Sequence, residues 1–527
     1  MNCAWCGGEN RDDARFCGDC GRGLRFDAAC GHCGANNPAG ARFCDACGTQ
    51  TGESAAETDA VAPAPSPPAP RRLLPGEGAA SGLLARVLTP QGLGLIVLLT
   101  AAVVLRVANL GSVPVNVTAD EADNLQVVYH IMENTGPGFF ELDWKPAPAF
   151  STYVITGFMR VFGESVVGMR MASVVISVAA IGVFYALARQ TMSLGASLSA
   201  AFLLATGLWF LHFSRSGWEN VHVALFALMA VLLVTQAARR GSLLLFAATG
   251  VAAALGIYGY SGGRTIVLGV LAFLPVAMVL HPDLRRRNLV GFGVTLVVFL
   301  VLIAPQLKTA LDDWDYFNRR SDAVSVLNHL DDYQGDTGLV PVLAHQAWRT
   351  VDGFFLMDSG LAAIGLNSRY ISPGWAVLDR ATGVLFWLGV VVSLWRWRET
   401  SAWWAMLLAL IVPIQVLSTS TPDVARAVGA APLFYLFAGL GLHWLTQLRV
   451  AKAWAARAAV AVAVLAIAFL NVSSYYRWMV EPGAAAARQP AVELAEFEVW
   501  QGLQMAAAER GDWGFNVGQW HQIRDGN

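Results

Sequence analysis

The chain has 527 residues, of which 55% are hydrophobic and only 14% charged, and its mean hydropathy is +0.48. This composition excludes a soluble globular protein and predicts an all-α, polytopic membrane protein. The formal net charge of −2 at pH 7 indicates no particular class of binding partner.

The eight cysteines all lie in the first fifty residues and form two copies of one pattern. Each copy reads Cys-x2-Cys-x10-Cys-x2-Cys, and the second copy begins 27 residues after the first. Two thiolates on one turn can bind one metal ion, and four complete a tetrahedral zinc shell. The pattern therefore predicts a double zinc ribbon over residues 1–50 with two structural zinc ions. Their predicted ligands are Cys3, Cys6, Cys17 and Cys20 for one ion and Cys30, Cys33, Cys44 and Cys47 for the other.

Two alternatives to these zinc sites stay open at this point. A disulfide framework would need an oxidising compartment, to which no N-terminal signal peptide directs the chain. The ligands could also be crossed between the repeats, although the spacing favours sequential sites. The first fifty residues hold five arginines and six acids, so there is no basic patch and we expect no nucleic acid partner. We expect the ribbons to bind a cytosolic protein, and residues 51–90, rich in proline and alanine, to form a disordered linker.

Apolar stretches long enough to cross a bilayer predict about eleven transmembrane helices. They lie at about 92–110, 165–188, 195–213, 218–237, 242–259, 264–281, 289–305, 381–396, 401–418, 428–446 and 455–473. Residues 148–162 are apolar but short, which predicts an interfacial or re-entrant segment. The transmembrane domain is thus expected over 91–475, followed by a short tail, 476–527.

The orientation of these spans is predicted from the basic residues between them, because cytosolic connections carry an excess of arginine and lysine. The short basic connections hold Arg189, Arg239, Arg240, Arg285, Arg286, Arg287, Arg396, Arg398, Arg449, Lys452 and Arg457. This places the N-terminus and the ribbons in the cytosol. Two long loops, 111–164 and 306–380, and the C-terminal tail are then outside, and we expect the membrane to be the plasma membrane.

Three acids, Asp120, Glu121 and Asp123, follow the first span directly in the stretch VTADEADN, 117–124. Thr118 and Glu121 have the T-x-x-E spacing of a capping box at a helix start. A helix dipole also favours an acid such as Asp120 in the first turn. Apolar residues follow at helical spacing, so the acids are predicted to begin an amphipathic helix on the outer membrane surface.

The Asp-Glu pair just after the first span resembles the first outer loop of GT-C glycosyltransferases, in particular the protein O-mannosyltransferases and the lipid A aminoarabinose transferase. Other stretches resemble segments of that group in the expected order: KPAPAF, 145–150; FGESVVGMRMAS, 162–173; HFSRSGWEN, 212–220; YGYSGGRTI, 258–266; NSRYISPGWAVLD, 367–379; and TPDVARAVGAAP, 421–432. Ala147 departs from the group's second proline, and Glu219 stands where an aspartate is common.

This resemblance implies a GT-C fold and a glycosyltransferase that moves a hexose or pentose from a polyprenyl-phosphate donor. The sugar would pass with inversion to a hydroxyl of a protein, lipid or glycan outside the cytosol. Asp120 would deprotonate the acceptor, and Glu121 would orient the acceptor or cap its helix. The resemblance also permits a divalent metal at the active site, for which the sequence shows no ligand cluster.

The leaving lipid phosphate needs positive charge, preferably from arginine, and the outer loops supply it. We predict phosphate binding by Lys145, Arg215, Arg264 and Arg426, grouped around one cavity that opens to lipid. We interpret four other arginines as snorkelling residues at span ends, namely Arg106, Arg160, Arg170 and Arg380.

A different class of protein, a transporter or channel with a cytosolic zinc-ribbon sensor, is the main alternative. Transporters usually carry ionisable residues near the bilayer midplane. Stretches such as 92–105, 223–234 and 266–280 have none, which favours the glycosyltransferase. A catalytically inactive scaffold is a third reading, and the presence of Asp120, Glu121 and Lys145 argues against it.

Overall fold

The computed structural model describes residues 9, 28–29, 36–37, 88–115, 117–142, 147–332, 338–356, 370–371, 375–419, 421–448 and 453–481. The chain divides into two compact units, Met1–Ala79 and Ala80–Asn527. In the first unit, strand β1 (Ala28–Ala29) pairs antiparallel with strand β2 (Asn36–Asn37). The eight cysteines and nearly all of the expected linker lie outside the described residues, so the zinc ligands stay a prediction.

The described part of the second unit is built of helices. In chain order they are α1 (Pro90–Val107), α2 (Ala119–Met132), α3 (Phe150–Phe162), α4 (Val166–Ala188), α5 (Leu194–Thr206), α6 (Leu208–Phe213), α7 (Val221–Arg240), α8 (Leu243–Gly259), α9 (Ile266–Leu280), α10 (Arg285–Leu302), α11 (Ala304–Asp312), α12 (Trp314–Val324), α13 (Leu339–Val351), α14 (Arg380–Trp395), α15 (Trp397–Ile411), α16 (Ala431–Gln447) and α17 (Ala453–Trp478). Two short 3-10 helices, Ser261–Thr265 and Arg426–Ala430, precede α9 and α16.

Seven helices in the described residues are long and apolar enough to cross a membrane, and an eighth span forms if the bent pair at α10 and α11 counts as one. The axes of that pair differ by 61°. Three further apolar helices, α5, α8 and α14, are shorter, at 13, 17 and 16 residues. Each predicted span overlaps a helix of the bundle, which confirms a multi-pass membrane protein, and the span predicted at 195–213 divides into α5 and α6. The count of eleven is not confirmed, because three helices fall short of the length of a full span.

The helices pack closely where small residues face each other, and α14 and α16 show this best. A β-carbon at Gly389 of α14 would lie 1.7 Å from the carbonyl oxygen of Phe437. One at Gly441 of α16 would lie 2.3 Å from the carbonyl oxygen of Leu385. Helices inside a membrane gain most of their association from such close packing, so these glycines set the distance between the two helices.

Two ends of the helix bundle matter for function, and α4 connects them. Arg170, in the first turns of α4, pairs with Glu121 of α2. Helix α4 has 23 residues and ends at Ala188. We call the end near Glu121 the acid end and the opposite end, where α4 and α7 finish, the arginine end. At about 1.5 Å per helical residue, the two ends are ~35 Å apart.

Candidate functional site

The start of α2 is fixed by the capping box that the sequence predicted. The Glu121 backbone N–H donates to Thr118 Oγ1 at 3.3 Å, and the Thr118 backbone N–H donates to Glu121 Oε2 at 3.0 Å. Each bond satisfies a backbone donor that a helix start leaves without a partner. The predicted capping box and the predicted helix at the acids are therefore confirmed.

Glu121 also holds α2 against two other parts of the bundle. Its side chain is buried, and Oε1 accepts hydrogen bonds from Arg170 Nε at 3.0 Å and from the Gly217 backbone N–H at 2.7 Å. Arg170 donates further to the carbonyl oxygens of Leu110 and Pro114, at 3.0 and 2.9 Å. The snorkelling interpretation of Arg170 is wrong, because its guanidinium is buried in an ion pair. These contacts favour the capping alternative for Glu121 over acceptor binding.

Asp120, one residue earlier, has a different environment from Glu121. Its side chain is only half-buried, and Oδ2 accepts a hydrogen bond from the phenol of Tyr370 at 3.0 Å. Tyr370 is 4% exposed and packs against Phe213 and Trp218, with ring centroids 5.1 and 5.8 Å apart. The Asp120 carboxylate is therefore held by a rigid aromatic donor while part of it stays accessible.

Asn124, one helical turn after Asp120, joins the same face of α2 to the loop before α7. Its side-chain amide donates to Glu219 Oε2 at 2.5 Å and to the Gly217 carbonyl oxygen at 3.2 Å. Glu219 is 7% exposed. The carboxylate of Glu219 thus also lies beside α2 at the acid end, and sequence reasoning did not assign it a role.

Arg215 lies in the same loop as Glu219, but its guanidinium is buried against the end of α1. Nη1 donates to the carbonyl oxygens of Leu105 and Arg106 at 2.6 and 2.7 Å. Nη2 donates to those of Ala108 and Val113, also at 2.6 and 2.7 Å. We call this arrangement the carbonyl clamp. It gives Arg215 a structural environment and not the phosphate-facing one that the sequence suggested.

Arg106 is buried next to the carbonyl clamp, contrary to its interpretation as a snorkelling residue. Its Nε donates to Ser177 Oγ at 3.0 Å, and Nη1 donates to the carbonyl oxygens of Ala102 and Ala205 at 3.2 and 3.1 Å. The reading failed because Arg106 faces neighbouring helices, whereas a snorkelling side chain must reach the membrane surface.

Arg264 occupies the 3-10 helix before α9 and is half-buried. Its guanidinium carbon stacks 4.1 Å from the centroid of the Phe317 ring on α12, and Nη2 donates to the Phe317 carbonyl oxygen at 3.4 Å. Its Nε is buried with no hydrogen-bond partner in the described part of the chain. Arg264 therefore keeps donor capacity that a bound anion could use.

Arg426 begins the 3-10 helix before α16. Its Nε pairs with Asp423 Oδ2 at 3.1 Å, and Nη1 donates to Ser418 Oγ at 2.9 Å. Its side chain is 16% exposed. The 3-10 helices that carry Arg264 and Arg426 contact each other. Lys145, the fourth predicted cation, lies outside the described residues.

Several contacts connect these segments to the acid end. Trp218 packs against both Tyr370 and Tyr260, with centroids 5.8 and 6.4 Å apart, and Tyr260 directly precedes the 3-10 helix of Arg264. The Asn220 side-chain amide donates to the Ala425 carbonyl oxygen at 2.8 Å, next to Arg426. The structure thus places Asp120, Glu219, Arg264 and Arg426 on segments that meet at one end of the bundle. Whether the cations share one phosphate stays a prediction.

The described residues contain no group of three or more His, Cys, Asp or Glu that could hold a metal ion. They therefore provide no ligand set for the divalent metal that the sequence resemblance permits.

Comparison with known proteins locates two segments of the chain. Residues 146–308 match the family described as dolichyl-phosphate-mannose-protein mannosyltransferase, and residues 3–48 match the double zinc ribbon. The predicted resemblance to GT-C glycosyltransferases with a double zinc ribbon is confirmed. The mannosyltransferase match covers the segment that holds Arg215, Glu219 and Arg264, whereas Asp120 and Arg426 lie outside it. No curated protein matches the chain.

Solved structures give weaker likenesses. ArnT from Cupriavidus metallidurans bound to undecaprenyl phosphate is 16% identical with a TM-score of 0.45, covering 78% of this chain and 77% of that one. The same protein in the apo state is 14% identical with a TM-score of 0.46, covering 78% of this chain and 77% of that one. Arabinosyltransferase EmbB from Mycobacterium smegmatis is 14% identical with a TM-score of 0.43, covering 80% of this chain and 41% of that one.

Proposed function

We propose that this membrane glycosyltransferase moves a sugar from a polyprenyl-phosphate donor to an acceptor hydroxyl at the acid end of the bundle, with inversion. The reaction type follows from the mannosyltransferase family match, whose name specifies a dolichyl-phosphate sugar. The acid end faces the outside of the plasma membrane, and the N-terminus lies in the cytosol. The double zinc ribbon, matched over residues 3–48, binds two zinc ions through its eight cysteines.

Asp120 is the proposed base, and its hydrogen bond with Tyr370 carries this assignment. The carboxylate accepts a hydrogen bond from the Tyr370 hydroxyl at 3.0 Å and is only half-buried. It can therefore accept a hydrogen bond from the hydroxyl of an acceptor molecule in the same way. A base must lie within hydrogen-bond reach of the proton that it removes. Glu121, buried in its ion pair, acts as a positioning residue that fixes the helix start on which Asp120 sits.

In the proposed step, Asp120 accepts the proton of the acceptor hydroxyl as that oxygen attacks the anomeric carbon of the donor. The new C–O bond forms on the face opposite the lipid phosphate, and the bond between the anomeric carbon and the phosphate oxygen breaks. The bonding electrons leave with the phosphate, so no acid is needed. Arg264 and Arg426, with Lys145 from the first loop, supply positive charge for this anion. Arg215 is omitted from this group because of the carbonyl clamp.

The direct test replaces Asp120 by asparagine in the full-length enzyme and measures transfer from purified polyprenyl-phosphate sugar. General base catalysis contributes roughly 10²–10⁴-fold, so we expect Asp120→Asn to lower kcat by about that factor. Donor binding should remain, because no donor contact is assigned to Asp120.

The matched control is Glu133→Gln, which neutralises a half-buried acid at the other end of α2. It lies 13 residues from Asp120, or ~20 Å along the helix, and should leave kcat near the wild-type value. An Asp120→Asn enzyme with kcat close to that of Glu133→Gln would refute Asp120 as the base. Movement of an unmodified lipid or solute across the bilayer, with no sugar transfer, would support the transporter instead.

A further inference from the structure

The arginine end carries a cluster of guanidinium groups that the proposed reaction does not use. Arg239, in the last turn of α7, donates to Gln190 Oε1 at 3.3 Å, just beyond the end of α4. Gly241 follows with a φ of +57°, and a β-carbon there would lie 2.8 Å from Arg287 Cδ on α10. The α7–α8 turn thus brings the Arg287 side chain against Gly241, two residues after Arg239.

Within the described part of the chain, no carboxylate forms an ion pair with Arg239 or Arg287. Burial and the nearby charge of Arg239 hold the pKa of His281 below its usual range, so His281 lies close to Arg239 and stays neutral. Arg240, Arg285 and Arg286 are exposed nearby. The nearest acid in sequence, Asp283, is also exposed. We call Gln190, Arg239, Arg287 and Asn288 the arginine-end site.

Two side chains of this site have buried carboxamide atoms without a partner in the described residues. Gln190 Nε2 has no hydrogen-bond partner in the described residues, and neither Nδ2 nor Oδ1 of Asn288 has one there. Asn288 directly follows Arg287 and is fully buried. A buried amide without a partner is unfavourable, so native proteins normally satisfy such groups with protein, water or ligand. The two amide nitrogens, Gln190 Nε2 and Asn288 Nδ2, are donors and an observation independent of the charge cluster, and as donors they suit an anion.

The surroundings of the site indicate where this anion comes from. Leu243 and Leu244 on α8 are 41% and 79% exposed, and Leu289 and Val290 on α10 are 59% and 50% exposed. In a membrane protein, such exposed apolar residues face lipid chains. The arginines therefore lie at the level of the lipid headgroups, one turn or less from surfaces that contact acyl chains.

We propose that the arginine-end site binds the phosphate headgroup of an anionic phospholipid. The guanidinium groups of Arg239 and Arg287 form charge-assisted hydrogen bonds with the phosphate oxygens, for which arginine geometry is well suited. Gln190 and Asn288 donate amide hydrogens to the same headgroup, and its acyl chains lie along the exposed leucines of α8 and α10. Basic residues next to a membrane span are the usual partners of anionic lipids.

The test titrates the detergent-purified full-length protein with phosphatidylglycerol and measures retained lipid by native mass spectrometry, with phosphatidylcholine as the neutral lipid. We expect a first phosphatidylglycerol to bind the wild type more tightly than phosphatidylcholine. Arg239→Gln with Arg287→Gln should weaken it roughly thirtyfold. This factor corresponds to about 1 kcal/mol for each hydrogen bond lost from a guanidinium group and about 1.4 kcal/mol for each factor of ten.

Two controls separate a built site from diffuse charge. Arg285→Gln with Arg398→Gln removes the same charge from exposed arginines near the same end and should change binding less than threefold, roughly the scatter for independent surface groups. Gln190→Ala with Asn288→Leu keeps every charge and should still weaken binding, by about fivefold for each lost hydrogen bond. The Asn288→Leu change replaces a buried amide by an apolar group of similar size, which favours folding.

Three results would overturn the proposal. Equal losses in the two arginine pairs would show diffuse attraction only. Wild-type affinity in the Gln190 and Asn288 variant would remove the carboxamides from the site. Displacement of phosphatidylglycerol by millimolar inorganic phosphate, with no dependence on the acyl chains, would identify a soluble anion as the ligand. None of these outcomes bears on sugar transfer at the acid end.

Discussion

Replacing Glu121 by glutamine separates its structural role from a catalytic one. Oε1 of Glu121 accepts from the Gly217 N–H and from Arg170 Nε, and Oε2 accepts from the Thr118 N–H. An amide nitrogen placed at either oxygen position would face a donor, so the glutamine cannot satisfy all of them. It also leaves the buried Arg170 guanidinium without an opposite charge.

The expected loss of stability follows from these contacts. Removing one partner of a buried ion pair costs about 3–5 kcal/mol, because the remaining charge is left uncompensated. Arg170 keeps its hydrogen bonds to Leu110 and Pro114, so we expect a value near the lower limit, ~3 kcal/mol. The double variant Glu121→Gln with Arg170→Gln removes both charges and should recover ~1–2 kcal/mol of this loss, within the usual coupling of contacting residues.

The assay compares thermal unfolding of the purified variants in detergent with the transfer rate per folded molecule. We expect a clearly lower apparent Tm for Glu121→Gln, a partial recovery in the double variant, and no change for Glu133→Gln. Transfer by the molecules that remain folded should fall much less than in Asp120→Asn. A Glu121→Gln protein with wild-type Tm and no transfer would refute the structural role and return Glu121 to catalysis.

Three other predictions follow from the helix bundle and the N-terminus. Arg215→Gln should reduce the yield of folded protein because it removes donors from four backbone carbonyls. Arg264→Gln should raise KM for the donor about tenfold, the effect of losing one charged hydrogen bond, and should lower Tm less than Arg215→Gln does. The reverse pattern would contradict both assignments. Gly389→Ala should destabilise the bundle because its methyl group meets Phe437, while Gly293→Ala, with nothing within 4 Å, should not, as thermal unfolding will show. Purified full-length protein should contain two zinc ions per chain by elemental analysis, and deletion of residues 1–80 should leave transfer from purified donor intact; loss of transfer in that deletion would make the ribbons part of the catalytic unit.

Local sequence signals predicted the parts of the site that depend on near neighbours. The T-x-x-E spacing specified the start of α2, since both partners of a capping box lie within one helical turn. Apolar run lengths likewise located the helices of the bundle. Run length did not distinguish a full span from the short helices α5, α8 and α14, because turns and caps inside an apolar stretch also decide where a helix stops.

Contacts between distant parts of the chain could not be predicted from the sequence. Glu121 pairs with Arg170, 49 positions later, and Asp120 meets Tyr370, 250 positions later. Arg215 and Arg264 have the same local signature, a lone arginine near a span end, but one is buried against carbonyls and the other stacks on Phe317. Nothing in a single sequence states which arginines find backbone acceptors. The stretch NSRYISPGWAVLD, which contains Tyr370, was identified by its place in the order of family-like segments. The contact of Tyr370 with Asp120 could be seen only in the folded structure.

The carbonyl clamp has a consequence for the thickness of membrane that α1 can serve. The helix has 18 residues, or ~27 Å at about 1.5 Å per residue, which is slightly less than a hydrocarbon core of about 30 Å. A span this short would normally expose its last carbonyls to lipid, where no water can satisfy them. Arg215 provides those hydrogen bonds from within the protein, so the chain after Val107 can leave its helix while still below the headgroups. The first span therefore needs neither a thinner bilayer nor extra turns, and the acids of α2 begin close to the membrane in which a lipid-linked sugar would arrive.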